Sequence, residues 1–170
     1  GIPLDMPSTT GSRLGVTIQE IPGSVDVVTS KIMEERGYTT TLQAVESAPG
    51  VTTGICFGVP CFAMRGFSDV TSLPILIDGN RYPGLAVAPR STFNYEHIEI
   101  IKGASSMLHG LGSVIGSMNF VTKRADGIPH HQLEAGYGSW GKWRFAGGSG
   151  GKISDRVAYR LDVNYVTANQ

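Results

Sequence analysis

Between residues 25 and 122, short apolar runs alternate with glycine and proline, and this pattern predicts short strands mixed with short helices. The expected strands are rich in branched and aromatic residues. In chain order they are Val25–Thr29, Phe62–Arg65, Pro74–Ile77, Glu96–Ile101 and Met118–Thr122. The region is therefore typical of an α+β domain.

Helix signals lie between these strands. Ser30–Arg36 predicts a short helix, which the following glycine ends. Thr40 and Gln43 have the spacing of a capping box, so a second helix is expected to begin there and to end before Pro49. A further helical turn is expected over Ala104–His109.

After residue 126 the pattern changes to a strict two-residue alternation, which predicts strands with one apolar and one polar face. The apolar positions share one parity and are Leu133, Ala135, Tyr137, Trp143, Phe145, Val157, Tyr159, Leu161, Val163 and Tyr165. Gly147–Gly151 and Asp155 are expected to form the turn between two strands. We therefore divide the chain into an N-terminal segment 1–14, a first domain 15–126 and a second region 127–170.

An apolar sheet face needs a covering surface, and two interpretations stay open for 127–170. A soluble β-sandwich would supply a second sheet, which the rest of the sequence does not contain. A membrane β-barrel instead turns such a face to lipid and keeps the polar face inside. Because the last strand has an open edge, we expect this region to be the truncated start of a larger sheet.

Composition and the lack of certain motifs argue against several classes of function. Fourteen basic and fourteen acidic residues give zero net charge, which offers no general attraction to nucleic acid. The longest apolar runs are far shorter than the ~20 residues of a membrane-spanning helix. The four histidines lack metal-ligand spacing, and no G-x-S-x-G nucleophile motif is present. We therefore expect neither an enzyme nor a bound cofactor or metal.

Two cysteines, Cys56 and Cys61, lie close enough along the chain to close a small loop. They are too few for a four-ligand zinc site. A disulfide is our preferred interpretation, and it would imply an oxidising compartment. Two free thiols remain the alternative.

Four charged residues lie within or at the ends of apolar strands, namely Arg65, Asp78, Glu99 and Lys102. Charges in such places must be paired. A small domain cannot easily pair all of them internally, so some are expected to face a partner wall. Glycines next to these charges predict tight turns, at Gly66, Gly79 and Gly103, and Gly116 is expected to form another.

Six motifs in chain order resemble the plug domain of TonB-dependent outer-membrane receptors, especially those for ferric siderophores. They are Ile21–Thr29, Leu42–Val51, Arg65–Phe67, Ile77–Gly79, Ile98–Gly110 and Gly116 with Asn119–Lys123. The resemblance covers about residues 15 to 124. Departures from the family pattern are Lys102 for arginine, Ala104 for proline, His109 for tyrosine and Ser117 for glycine.

The resemblance implies an α+β plug domain followed by the first antiparallel strands of a transmembrane β-barrel. It implies uptake of a ferric siderophore across the outer membrane, with the TonB protein of the periplasm and outer-membrane lipid as partners. The family's coupling box is not recognisable in residues 1–12, so 1–14 is expected to follow it. A haem, cobalamin or other nutrient receptor of the same architecture is the alternative, and a soluble α+β binding module is another.

The resemblance also assigns residues. Arg65 and Lys102 correspond to arginines that lock plug to barrel by pairing with barrel glutamates, and Glu99 is grouped with them. Tyr82 and Arg81 are the expected ligand contacts after the Asp78 turn. Phe57 is a third expected ligand contact, in the loop between the cysteines.

Overall fold

The computed structural model describes residues 24–56, 59–64, 73–82, 90–103 and 115–167. The chain divides into two compact units, and the boundary follows Thr122. Sequence patterning placed this boundary four residues later, after residue 126. The expected helical turn over Ala104–His109 and the segment 1–14 lie outside the described residues.

The first unit is built on a five-stranded mixed sheet in the order β1-β6-β7-β4-β5. Its strands are β1 Ser24–Thr29, β4 Ile75–Ile77, β5 Asn80–Arg81, β6 Tyr95–Lys102 and β7 Gly116–Thr122. β6 pairs antiparallel with β1 and β7, whereas β4 and β7 run parallel. Each expected strand of this sheet is present to within two residues at either end.

Two short helices, α1 (Ser30–Glu35) and α2 (Thr41–Glu46), connect β1 to the rest of the unit. The predicted capping box is present at α2: the Gln43 N–H donates to the Thr40 hydroxyl, and the Gln43 side chain accepts from the Thr40 N–H at 3.2 Å. At α1 the Ile32 N–H donates to the hydroxyl of Thr29. Side-chain oxygens thus satisfy N–H groups that have no partner within the helix.

The hydrophobic core contains residues of both helices and one face of the sheet. Ile98, Ile100 and Met118 are fully buried there, and Phe120 packs among them. Since side chains alternate along a strand, the residues between these point to the other face of the sheet. That face carries the buried polar residues Glu99 and Asn119.

A separate antiparallel hairpin, β2 (Val51–Cys56) with β3 (Val59–Met64), follows α2. Sequence patterning predicted part of β3 but not β2. Cys61 is disulfide-bonded, and Cys56 is the only other cysteine of the chain. The disulfide closes a hairpin whose strands pair with each other alone within the described residues. Such a hairpin is marginally stable without further support.

The second unit is a three-stranded antiparallel sheet of β8 (His130–Gly138), β9 (Lys142–Ser154) and β10 (Val157–Thr167). The prediction of a turn at Gly147–Gly151 is wrong, because these glycines lie inside β9. The turn itself is at Asp155–Arg156. Glycine is used within the strand because neighbouring rings occupy the space: a Cβ on Gly150 would lie 2.1 Å from the His130 ring.

The apolar face of this sheet is exposed. Leu133 is 87% accessible, and Leu161 and Tyr165 are each 61% accessible. Polar residues of the opposite face pair with one another, as in the ion pairs Arg144–Glu134 and Arg160–Asp162. The predicted alternation is therefore present, with its apolar side uncovered.

Among the described helices, none is long and apolar enough to cross a membrane.

Gly116 gives the sharpest test of the first unit's packing. Its φ is +146°, and a Cβ there would lie 2.2 Å from the backbone oxygen of Ile101. We expect Gly116→Ala to lower the free energy of unfolding of this unit by about 3 kcal/mol, because strain and overpacking add. Calorimetry of the purified protein in detergent measures the change.

Gly136→Ala is the matched control, since its new methyl group would lie 3.9 Å from the nearest side chain. We expect a change below about 1 kcal/mol there. Equal effects of the two substitutions would contradict the packing described around Gly116.

Candidate functional site

A row of hydrogen-bonded polar residues crosses β6 and β7 on the face opposite the hydrophobic core. Glu99 is 1% exposed and lies directly across from Asn119. The Asn119 Nδ2 donates to the Glu99 Oε2 at 3.1 Å. His97 Nε2 lies 3.4 Å from the other carboxylate oxygen. Burial of a carboxylate is costly without such partners, so the register of β6 on β7 is important for stability.

The turn between β4 and β5 continues this row. The Gly79 N–H donates to the Asn119 Oδ1 at 3.0 Å. Asp78 has a φ of +50°, a left-handed conformation that aspartate tolerates better than most residues. Its carboxylate accepts from the N–H and the hydroxyl of Thr122, each at 2.8 Å. Asp78 therefore holds the end of β7.

These hydrogen bonds, the contact of His97 with Glu99 and the peptide bond between Asp78 and Gly79 join the residues into one connected path, which we call the polar row. It comprises His97, Glu99, Asn119, Gly79, Asp78 and Thr122. Sequence reasoning singled out Glu99 and the Asp78–Gly79 turn, but missed Asn119, Thr122 and His97 as their partners. Asn119 is a polar residue inside the apolar run of β7, and this position could have identified it from the sequence. Only the register of β7 on β6 shows that its partner is Glu99.

Lys102 has partners within the first unit. Its ammonium group pairs with the Asp26 carboxylate on β1 and donates to the Pro49 carbonyl oxygen between α2 and β2. The Lys102 side chain is only 11% exposed. The predicted lock thus has two described members, Lys102 and Glu99, and both make contacts inside this unit. Arg65 lies outside the described residues, and pairing with a barrel stays a prediction.

Two of the three predicted ligand contacts, Tyr82 and Arg81, lie within the described residues. Tyr82 is half-buried against the core and donates its N–H to Ile75 O at 2.8 Å. The Arg90 guanidinium lies 5.2 Å from the Tyr82 ring centroid, a contact that sequence reasoning missed. Arg81 is exposed on β5. Phe57 lies outside the described residues.

Arg90 also borders a small cleft beside Tyr82, which Thr41 and Tyr95 help to line. A hydrogen bond to Tyr95 raises the pKa of the Arg90 guanidinium above its ordinary value, so the group stays cationic. The cleft therefore combines a fixed positive charge with aromatic rings.

The remaining predicted turn residues are found at bends of the backbone. Gly79, Gly103 and Gly116 all have positive φ. Gly66 lies outside the described residues. Within the described part of the chain, no group of three or more histidine, cysteine, aspartate or glutamate residues could hold a metal ion.

Solved structures with the same fold define the class of protein. The chain matches the ferric-catecholate import receptor Fiu from E. coli K12 with a TM-score of 0.81 and 28% identity, over 97% of this chain and 24% of that chain. It matches the alcaligin outer membrane receptor FauA from Bordetella pertussis with a TM-score of 0.79 and 27% identity, over 96% of this chain and 30% of that chain. The fold is that of a receptor plug domain with a few barrel strands.

The family model described as the TonB-dependent Receptor Plug Domain matches residues 17–117. The chain belongs to this family. Among curated proteins, the ferric-pyoverdine M114 receptor PbuA of Pseudomonas sp. (strain M114) is 32% identical over 89% of this chain and 20% of its own length. The probable TonB-dependent siderophore receptor PiuA of Acinetobacter baumannii is 31% identical over 72% of this chain and 16% of its own length. The chain thus spans about a fifth of such relatives.

These matches confirm the resemblance and the fold class expected from the sequence. The matched proteins are named as receptors, which agrees with the expectation that the chain is not an enzyme and uses no catalytic cofactor.

Asp78 gives a direct test of the polar row. We expect Asp78→Ala to lower the free energy of unfolding of the first unit by about 3 kcal/mol, because two donors of Thr122 lose a charged acceptor and alanine disfavours positive φ. Asp78→Asn keeps the turn conformation and one acceptor, so about 1 kcal/mol is expected.

Asp126→Asn is the control, because Asp126 also accepts a backbone N–H, at 2.9 Å, but in an exposed turn. Calorimetry in detergent compares the three variants. If Asp78→Ala were no more harmful than Asp126→Asn, the polar row would not stabilise this unit.

Proposed function

We propose that the chain is the plug domain and first barrel strands of an outer-membrane receptor that takes up ferric siderophores. The family match over residues 17–117, together with relatives named as ferric-pyoverdine and siderophore receptors, carries this proposal. In this function the plug closes the barrel and contributes ligand contacts. The TonB protein of the periplasm would supply energy for plug movement.

The second unit supports a location in the outer membrane. Its exposed apolar face has the character of a lipid-facing barrel surface, and its polar face carries paired charges that suit a wetted interior. Tyr137, Trp143 and Phe145 form a contiguous aromatic group at one end of the apolar face, with adjacent ring centroids 4.8 and 6.1 Å apart. Aromatic residues of barrels concentrate at lipid–water boundaries. We place the plug inside the barrel, facing the periplasm.

Ligand contact is proposed for Arg81, Tyr82 and Phe57. Arg81 is an exposed cation on β5, which suits an anionic chelate. The Tyr82 ring is held beneath Arg90, so this aromatic surface is already oriented before a ligand arrives. Phe57 is included as the aromatic residue between the two cysteines.

A chelate of another metal is the second candidate. The metal-pseudopaline receptor CntO of Pseudomonas aeruginosa (strain UCBPP-PA14) is 30% identical over 81% of this chain and 19% of its own length. The plug would then have the same role with a different metal–ligand complex.

Growth under iron limitation tests the proposal. Cells with the intact gene or a deletion are supplied with ferric hydroxamate, catecholate, pyoverdine-type or citrate complexes, or with haem. We expect the deletion to abolish growth on one siderophore class and leave the others unchanged. Restoration by the intact gene on a plasmid is the control.

A defect confined to haem would replace the siderophore assignment with haem. A parallel culture limited for zinc or nickel and supplied with the chelate of that metal tests the second candidate, and a defect there alone would replace the siderophore assignment with that metal. Unchanged growth with every iron source, in a strain from which any redundant receptor for the same complex has been deleted, would contradict the proposal.

A further inference from the structure

Lys102 lies where three segments of the first unit meet. It is the last residue of β6, and its ammonium group contacts Asp26 on β1 and the carbonyl oxygen of Pro49. These two partners are 23 residues apart in sequence and belong to different structural elements. One side chain therefore connects the first strand, the central sheet and the segment leading into the disulfide-bonded hairpin.

The chemistry of lysine fits this position. An ammonium group is compact and has three donors that point in different directions. It can serve a carboxylate on one side and a carbonyl oxygen on the other. A guanidinium group has planar donors that favour one bidentate partner, so arginine is less suited to two acceptors on separate segments.

The strand that Lys102 holds lies at one edge of the sheet. β1 has one neighbouring strand, β6, among the described residues. Ser24 is the register partner of Lys102, so the Asp26 contact is a diagonal pair across the two strands. Cross-strand charge pairs of this kind stabilise sheets, and here the pair acts on the half of β1 nearest the N-terminal end of the chain.

We propose that Lys102 is a latch internal to the plug: it fastens β1 to β6 and to the α2–β2 segment. Lys102 is a positioning residue in this role. The latch sets how readily β1 separates from the sheet. This inference rests on contacts within the first unit, so it does not depend on which ligand the receptor transports.

Hydrogen exchange measured by mass spectrometry tests the latch in the full-length protein in detergent. We expect Lys102→Ala to speed exchange in the 24–29 peptide about tenfold to a hundredfold, while peptides from β7 change less than about threefold. Asp26→Asn should act in the same direction and add little to Lys102→Ala, because both remove one interaction. Lys102→Arg should have an intermediate effect.

Lys31→Ala is the matched control. Lys31 forms an exposed pair with Glu35 at 3.9 Å, on the helix that follows β1. Exposed pairs of this kind contribute little, so exchange in β1 should not change.

Unchanged β1 exchange in Lys102→Ala would overturn the latch. A uniform increase across β1, β6 and β7 would also overturn it, because Lys102 would then stabilise the whole unit without acting on one strand. Additive effects of Lys102→Ala and Asp26→Asn would show that the two residues do not act together. Each of these results leaves the proposed uptake function untouched, which the growth experiment tests separately.

Discussion

The buried carboxylate of Glu99 is the constraint on which the first unit depends. A carboxyl group that is 1% exposed is tolerated only if neighbouring groups form hydrogen bonds or ion pairs with it. Asn119 supplies such a partner, but only when β6 and β7 pair in the observed register. Asn119 in turn orients the Gly79 N–H, and the adjacent Asp78 holds the end of β7. The register of β6 on β7, the conformation of the Asp78–Gly79 turn and the pairing of Glu99 therefore depend on one another.

The two units differ in whether their apolar side chains are buried. The first buries Ile98, Ile100 and Met118 against its own helices, as a water-soluble domain does. The second leaves its apolar face uncovered and pairs its charges on the opposite face. An apolar face of this size needs lipid or another apolar surface over it. The sequence already shows this contrast. Glycine and proline interrupt short apolar runs between residues 25 and 122, whereas apolar and polar residues alternate strictly after residue 126.

Local signals predicted much of the fold. The capping box at Thr40 and four of the five strands of the mixed sheet, all except β5, could be predicted because each depends on neighbouring residues. Two segments were misinterpreted for the same reason. Val51–Cys56 contains two threonines and a glycine, and resembles a loop until β3 pairs with it. Gly147–Gly151 resembles a turn, although its glycines make room within β9 for side chains of adjacent strands.

The candidate site was less predictable, because its contacts join residues far apart in the chain. Asn119 reaches Gly79 across 40 residues, and Lys102 reaches Pro49 across 53. The resemblance predicts a barrel partner for Lys102, and the structure adds partners on β1 and beside α2 that the sequence did not suggest. Spacing along the sequence carries no information about such pairs, which depend on the complete sheet.

Energy-dependent uptake tests the central claim most directly. Iron-55 bound to the siderophore identified by growth is supplied to cells that carry the intact gene, with or without a functional TonB protein. The account predicts accumulation of the label only when both the gene and TonB are present, with surface binding retained when TonB is absent. Equal accumulation with and without TonB would contradict it.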